Sequence, residues 1–475
     1  MKNKNDYLLK NTLIFFVSAF ATKLITFFLL PLYTAVLSTE EYGTADMIST
    51  TAALLVYIFT LNIGDAVLRF VIEFKENSRP VFYFGVNITM AGCVLCGLGI
   101  FSFYLIRPFN VPHYFYPFLF LGVVTSSTNI LVANYARGIN HVKQVGIAGV
   151  ISTIVAVLSN LYLLLFVKMG VMGYLIAGTL ASMTSSLYLI ITNRTSVSNL
   201  DKKVRISRNN QKQMLIYSIP LIFNGIAWWI NSAFDRYSIV YLRGVDQNGL
   251  YSAASKIPQI LAIINSVFAQ AWSLSAIRDV EIDDNDGFFS ETYNAYNCVL
   301  VVTGGLIISL NIPLAHILFS SEFYEAWRFA PILVISTVFN ALASFLGGAF
   351  TKAMRTGIYA KTTIFSTLVN ILLNIIFINT FGTIGAAIAT AASFFVLWII
   401  RLIASRKYVT INAKIVKHFV SYAVLIAQVI TEHLKMQFSV LQIAFMIILV
   451  ILYYKEIRKI GLFVIKKTIG IIHTH

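Results

Sequence analysis

Charge is what this sequence has least of. Only 12% of its 475 residues are Asp, Glu, Lys or Arg, where a soluble domain carries about 25%. Hydrophobic residues make up 58%. A water-soluble fold has no place for so much apolar surface, so the excess must face lipid. Cysteine is scarce too, at three residues. Cys93 and Cys96 form a C-x-x-C inside the apolar run "NITMAGCVLCGLGIF", with no histidine or second cysteine pair nearby. They read as two small lipid-compatible residues one turn apart, and neither a disulfide framework nor a metal site is expected. Long polar loops are also missing. The two longest connections, 193–213 and 276–290, are too short to hold a soluble catalytic module. A membrane-embedded glycosyltransferase or polymerase would need a large outer loop. No nucleotide motif or nucleophile–base pair stands out, so an enzyme is not expected, and neither is a cofactor.

What is present is a series of apolar runs. A spanning helix needs about 20 such residues. The sequence predicts an all-α integral membrane protein of fourteen spans, near 11–35, 43–68, 81–106, 113–135, 144–167, 171–192, 214–242, 249–275, 291–318, 328–351, 358–379, 383–404, 415–434 and 437–454. The first run is too long for a signal-peptide core and has no small-residue cleavage site after its charged start, so it reads as a retained span.

The formal net charge of +16 would suggest nucleic acid in a soluble protein. Here it is the signature of basic cytoplasmic loops. With the N-terminus placed in the cytoplasm, cytoplasmic segments hold 27 of the 36 basic residues and the opposite loops five. No nucleic-acid partner is expected, and an even number of spans leaves both termini cytoplasmic. The remaining four basic residues, Lys23, Arg69, Arg236 and Lys256, fall inside predicted spans.

The chain also repeats itself. "STEEYGTADMIST" resembles "GVDQNGLYSAASK" with Gly43 aligned to Gly249, and "GVMGYLIA" from Gly170 matches "GTIGAAIA" from Gly382. Spans 1–6 therefore match spans 7–12 in the same orientation, a parallel repeat that places a substrate site between its halves. The expected organisation is an N-lobe over 1–192, a basic linker over 193–213, a C-lobe over 214–404, and two further spans with a basic tail over 405–475.

Charges inside a span cost several kcal/mol unless they meet a cavity or a partner. Lys23 lies about 18 Å from either end of its span, beyond snorkelling reach. Asp65 and Arg69, four residues apart, share a helix face and can pair. Adjacent Asp235 and Arg236 point about 100° apart; one arrangement pairs Asp235 with Lys256 and turns Arg236 to the cavity, and another frees Lys256. The four cations suit a pyrophosphate. Trp228, Trp229 and Tyr237 would stack on sugars or simply pack. Asp65 or Asp235 is the candidate for ion coupling. A membrane potential worth about 2.3 kcal/mol per charge per 100 mV favours outward movement of an anion.

"LPLYTAVLSTEEYGTADM" from Leu30, "IGDAVLRF" from Ile63 and "ARGINHVKQVGIAGVISTI" from Ala136 resemble segments of polysaccharide flippases, the Wzx-type branch of the multidrug/oligosaccharidyl-lipid/polysaccharide exporter superfamily. The resemblance covers nearly the whole chain. It implies two six-helix lobes related by a pseudo-two-fold axis, alternating access, and a cavity lined by the first and seventh spans. It implies an undecaprenyl-pyrophosphate-linked oligosaccharide carried to the outer leaflet of a bacterial inner membrane for O-antigen or capsule. The polysaccharide polymerase machinery is a candidate partner. The rival readings are a drug or metabolite exporter of the same superfamily and a peptidoglycan lipid II flippase. A cavity of net positive charge argues against the exporter.

Overall fold

The computed structural model describes residues 27–74, 78–106, 111–193, 206–266, 268, 287–353, 355–409, 414–434, 438–459 and 461–462. Among these residues there are helices and turns and no strand. Nine described helices are long and apolar enough to cross a membrane, or eleven if each of two bent helix pairs is one crossing. These eleven match eleven of the fourteen predicted spans. Of the other three, the first lies mostly outside the described residues. The eighth begins as Val245–Ala254 and runs on past them. The fourteenth, Phe438–Leu452, is a helix of 15 residues.

The chain divides into two compact units, one of residues 1–237 with 245–249, the other of 238–244 with 250–475. In the first, the second span opens on a capping box. Ser38 Oγ accepts from the Glu41 amide at 3.1 Å, and Glu41 Oε2 accepts from the Ser38 amide at 3.0 Å. Two orphan donors are thereby satisfied, and Glu40 and Glu41 complement the positive end of the helix dipole. The span then breaks between Thr39–Phe59 and Ile63–Glu73 with a bend of 53°. Leu61 and Asn62 carry the break in left-handed conformations, φ 52° and 48°. Asn tolerates that region; Leu does not, at a cost of about 1–2 kcal/mol. The carbonyl of Phe59 faces Gly92 of the third span, where a Cβ would lie 2.1 Å from the oxygen. Only glycine admits that approach.

The two glycines that align in the repeat meet one another. A Cβ on Gly43 would stand 2.1 Å from the Val245 oxygen, and one on Gly249 would stand 1.9 Å from the Thr39 oxygen. Each glycine faces the residue four places before the other. Such reciprocity is the mark of a two-fold contact.

The seventh span is a helix of 36 residues, Arg208–Arg243, with Pro220 inside it. At 1.5 Å per residue it is about 54 Å long, well beyond a hydrocarbon core of about 30 Å. It starts six residues before the predicted apolar run because Arg208–Lys212 continue the helix rather than the loop.

In the second unit the ninth span is the broken one, Phe288–Ser309 and Asn311–Leu318, bent by 60°. The thirteenth span, Ile415–His433, lies along it. Gln428 Nε2 donates to Ser309 Oγ at 2.8 Å, and His418 Nε2 meets Asn294 Oδ1 at 2.8 Å. Tyr453, in the turn just past Phe438–Leu452, donates to Asn297 Oδ1 at 2.7 Å and sits 3.0 Å from both His418 Nδ1 and Ser421 Oγ. Buried polar side chains thus fix the two extra spans to the ninth.

Candidate functional site

The seventh span presents one face to the second. Residues 225, 229 and 236 share that face because four and seven places return a helix to nearly the same direction. Gly225 admits the Tyr57 ring, 2.5 Å from where its Cβ would be. Trp229 Nε1 donates to the Thr50 carbonyl at 2.7 Å. Arg236 Nη1 donates to Asp46 Oδ1 at 2.9 Å and to Thr50 Oγ1 at 3.2 Å. Next to it, Tyr237 shares a 2.6 Å hydrogen bond with Thr51 Oγ1. The Trp229 and Tyr237 rings meet edge to face at 5.2 Å. Asp46 also accepts from Asn248 Nδ2 at 3.4 Å, and Asn248 donates to the Gly43 carbonyl at 3.2 Å. The charge pair is thereby tied to the glycine crossing.

The sequence alone named no partner for Arg236; it has a carboxylate on the second span, Asp46. The physical reason is its position: 236 lies on the face that meets the second span, whereas Asp235 is turned about 100° away and is itself buried. The pair is not sealed. The Arg236 side chain keeps 22% of its surface and Asp46 11%. Trp229 and Tyr237 spend their polar atoms on the second span, the packing role of the two weighed for them. The Trp228 side chain lies outside the described residues, and so does Lys23. Lys256 is half-buried in the turn that follows Val245–Ala254.

At the other end of the second span, Asp65 and Arg69 do not pair with each other. Asp65 accepts from Asn62 Nδ2 at 3.0 Å and from Asn134 Nδ2 at 3.2 Å. Asn134 Oδ1 in turn accepts from Arg137 at 3.1 Å. Arg69 reaches past it to Glu73, 3.9 Å away, and lies over the Tyr217 ring at 4.5 Å, with its side chain 55% exposed. The break at Asn62 explains the choice: it delivers an amide to a carboxylate in the first turn, and Arg69 is free to extend toward water.

Asp46, Arg401 and Glu432 were not among the candidates. Asp46 stands in the second predicted span and Arg401 in the twelfth, so both were within reach of a tally that took acids along with bases and did not assign the ends of spans to loops. Arg401 is 2% exposed. It donates to the Ala343 carbonyl at 2.9 Å, Thr362 Oγ1 at 3.2 Å and Thr363 Oγ1 at 2.9 Å, and its guanidinium lies 4.0 Å over the Tyr359 ring. Among the described residues no cluster of three or more His, Cys, Asp or Glu is placed to hold a metal.

Residues 8–277, more than half of the chain, match the family model described as polysaccharide biosynthesis protein. A probable low-salt glycan biosynthesis flippase of Haloferax volcanii is 24% identical over 212 residues, 43% of this chain and 44% of that one. Among solved structures, a lipid II flippase in an inward closed conformation superposes with a TM-score of 0.68 at 15% identity, over 94% of this chain and all of that one. An inward-facing multidrug-resistance MATE-family transporter of the MOP superfamily superposes with a TM-score of 0.66 at 13% identity, over 81% of this chain and 94% of that one.

Proposed function

The chain belongs to the polysaccharide biosynthesis protein family, and from that membership we propose that it is a flippase that moves an undecaprenyl-pyrophosphate-linked oligosaccharide from the cytoplasmic to the outer leaflet by alternating access. The cargo serves O-antigen, capsule or a related surface glycan, and both termini lie in the cytoplasm of a bacterial inner membrane.

The observation that carries this reading is the Arg236–Asp46 pair. Arginine offers a planar fork matched to phosphate oxygens. Here it is held in place by a carboxylate yet keeps exposed surface, so a pyrophosphate can engage it without the protein first creating a buried charge. Arg69, exposed beside Tyr217, is suited to the first contact, Lys23 to the middle of the path and Lys256 to a later one. Asp65 and Asp235 remain the candidates for ion coupling. The probable low-salt glycan biosynthesis flippase of Haloferax volcanii supports a glycan as cargo.

A drug or metabolite exporter is favoured by one feature, the acid Asp46 beside Trp229 and Tyr237, which would suit a cation. The likeness to the lipid II flippase leaves the peptidoglycan precursor as a third cargo of the same chemistry. Deleting the gene and following lipid-linked sugars separates them. The proposal expects an undecaprenyl-linked oligosaccharide to accumulate on the cytoplasmic face. Accumulated lipid II would move the cargo to peptidoglycan, and drug sensitivity with no lipid accumulation would replace the flippase reading by the exporter.

A further inference from the structure

Near the break of the ninth span lie buried oxygens that no donor reaches among the described residues. Glu432 is 3% exposed. Its Oε1 accepts from Asn311 Nδ2 at 2.7 Å, and its Oε2 has no donor. Asn311, 1% exposed, spends Nδ2 on Glu432 and on the Trp327 carbonyl at 3.0 Å, which leaves Oδ1 unpaired. One turn before Glu432, Gln428 gives Nε2 to Ser309 Oγ, and its Oε1 is unpaired as well. Rotating the amides is no remedy. Asn311 would then set its oxygen against the Glu432 carboxylate and the Trp327 carbonyl, and Gln428 would set its own against the Gly305 carbonyl.

The backbone adds charge of the same sign. Phe288–Ser309 and Ile415–His433 both end here, and a helix C-terminus carries about half a negative charge. The short helix Asn311–Leu318 begins at the same place and offsets part of this. Of the ionisable neighbours, His433 sets its ring nitrogens against the carbonyls of Val429 and Arg328, at 2.9 and 3.1 Å. Arg328 pairs with Glu325 at 2.8 Å.

We propose that Glu432, Asn311 and Gln428 form a binding site for a dehydrated monovalent alkali cation of the sodium class at the break of the ninth span. Hard cations take oxygen ligands from carboxylates and amide carbonyls together. One carboxylate balances one positive charge, whereas a divalent ion would leave an uncompensated charge in a low dielectric. A proton would serve one of the three oxygens. A trapped water would donate to two and leave the carboxylate's charge unbalanced. The bound ion joins the end of the thirteenth span to the broken ninth, and it does so whatever cargo the protein carries.

The test is thermal unfolding of the purified full chain in detergent, in NaCl, KCl or choline chloride at equal ionic strength and fixed neutral pH. The expected result is a saturable rise in Tm in NaCl over choline, on the order of 3 °C, abolished in Glu432→Gln and reduced in Gln428→Ala. Equal Tm in all three salts overturns the site, as does a shift that survives in Glu432→Gln. A stabilisation that follows pH and ignores the alkali ion also overturns it, in favour of a protonated acid. Should Glu432→Gln fail to fold, retention of radioactive sodium by the unaltered protein and by Gln428→Ala decides. No retention, or equal retention in the two, sinks the proposal.

Discussion

Each unit holds an arginine within a span, and the two are held in opposite ways. Arg236 has a carboxylate partner and keeps 22% of its side chain exposed. Arg401 is 2% exposed and is satisfied by neutral oxygens and an aromatic face. A neutralised cation that stays reachable can trade one anion for another at modest cost. A sealed cation whose three nitrogens all donate has nothing to trade, and breaking it strips its acceptors. Burial alone therefore does not mark a functional charge; the retained surface and the replaceable partner do.

The largest expected effect falls on the sealed arginine. Arg401→Ala strips the Ala343 carbonyl and two threonine hydroxyls of a donor they share in a sealed site and should cost about 3–5 kcal/mol, read as a large loss of Tm and yield. Arg401→Lys should recover little, because an ammonium cannot reproduce the fork. A stable, fully active Arg401→Ala protein would erase the contrast. Next comes the glycine crossing beside Arg236. Gly249→Ala drives a methyl into the Thr39 carbonyl and should cost about 1–3 kcal/mol. Gly178→Ala, where nothing lies within 4 Å, should be neutral or stabilising by about 1 kcal/mol.

Arg236→Ala should show the reverse pattern to Arg401→Ala. Its Tm should fall by less than the Gly249→Ala loss, while flipping of a labelled lipid-linked oligosaccharide in vesicles drops at least about tenfold, equivalent to 1.4 kcal/mol. Arg236→Lys should retain part of the rate. Intact flipping in Arg236→Ala would assign this pair to structure. The smallest effect concerns Glu456, beyond the last span. Burial raises its carboxyl, but hydrogen bonds from Lys417 at 2.6 Å and Lys414 at 3.0 Å outweigh this and hold it below the usual carboxylate value. A carboxyl lowered in the folded state contributes stability above its unfolded pKa and loses it as pH falls through the folded one. Acidification through that window should lower Tm slightly, and Glu456→Gln should flatten the slope there.

Hydropathy made the spans legible because lipid demands about 20 apolar residues in a row, a signal that neighbours do not alter. It could not show the breaks in the second and ninth spans, since Thr60–Asn62 and Leu310–Asn311 interrupt the backbone without interrupting the apolar run. It placed Arg236 inside a span but not opposite Asp46, because pairing depends on which helices touch. Arg401 was counted with a loop because it stands a few residues from its helix end, where a basic residue ordinarily reaches water.

The glycine crossing has a consequence for ancestry. A contact in which each half offers the same glycine and the same carbonyl is one that two copies of a six-span chain can make with each other. A duplicated gene that joins those copies inherits the interface already formed.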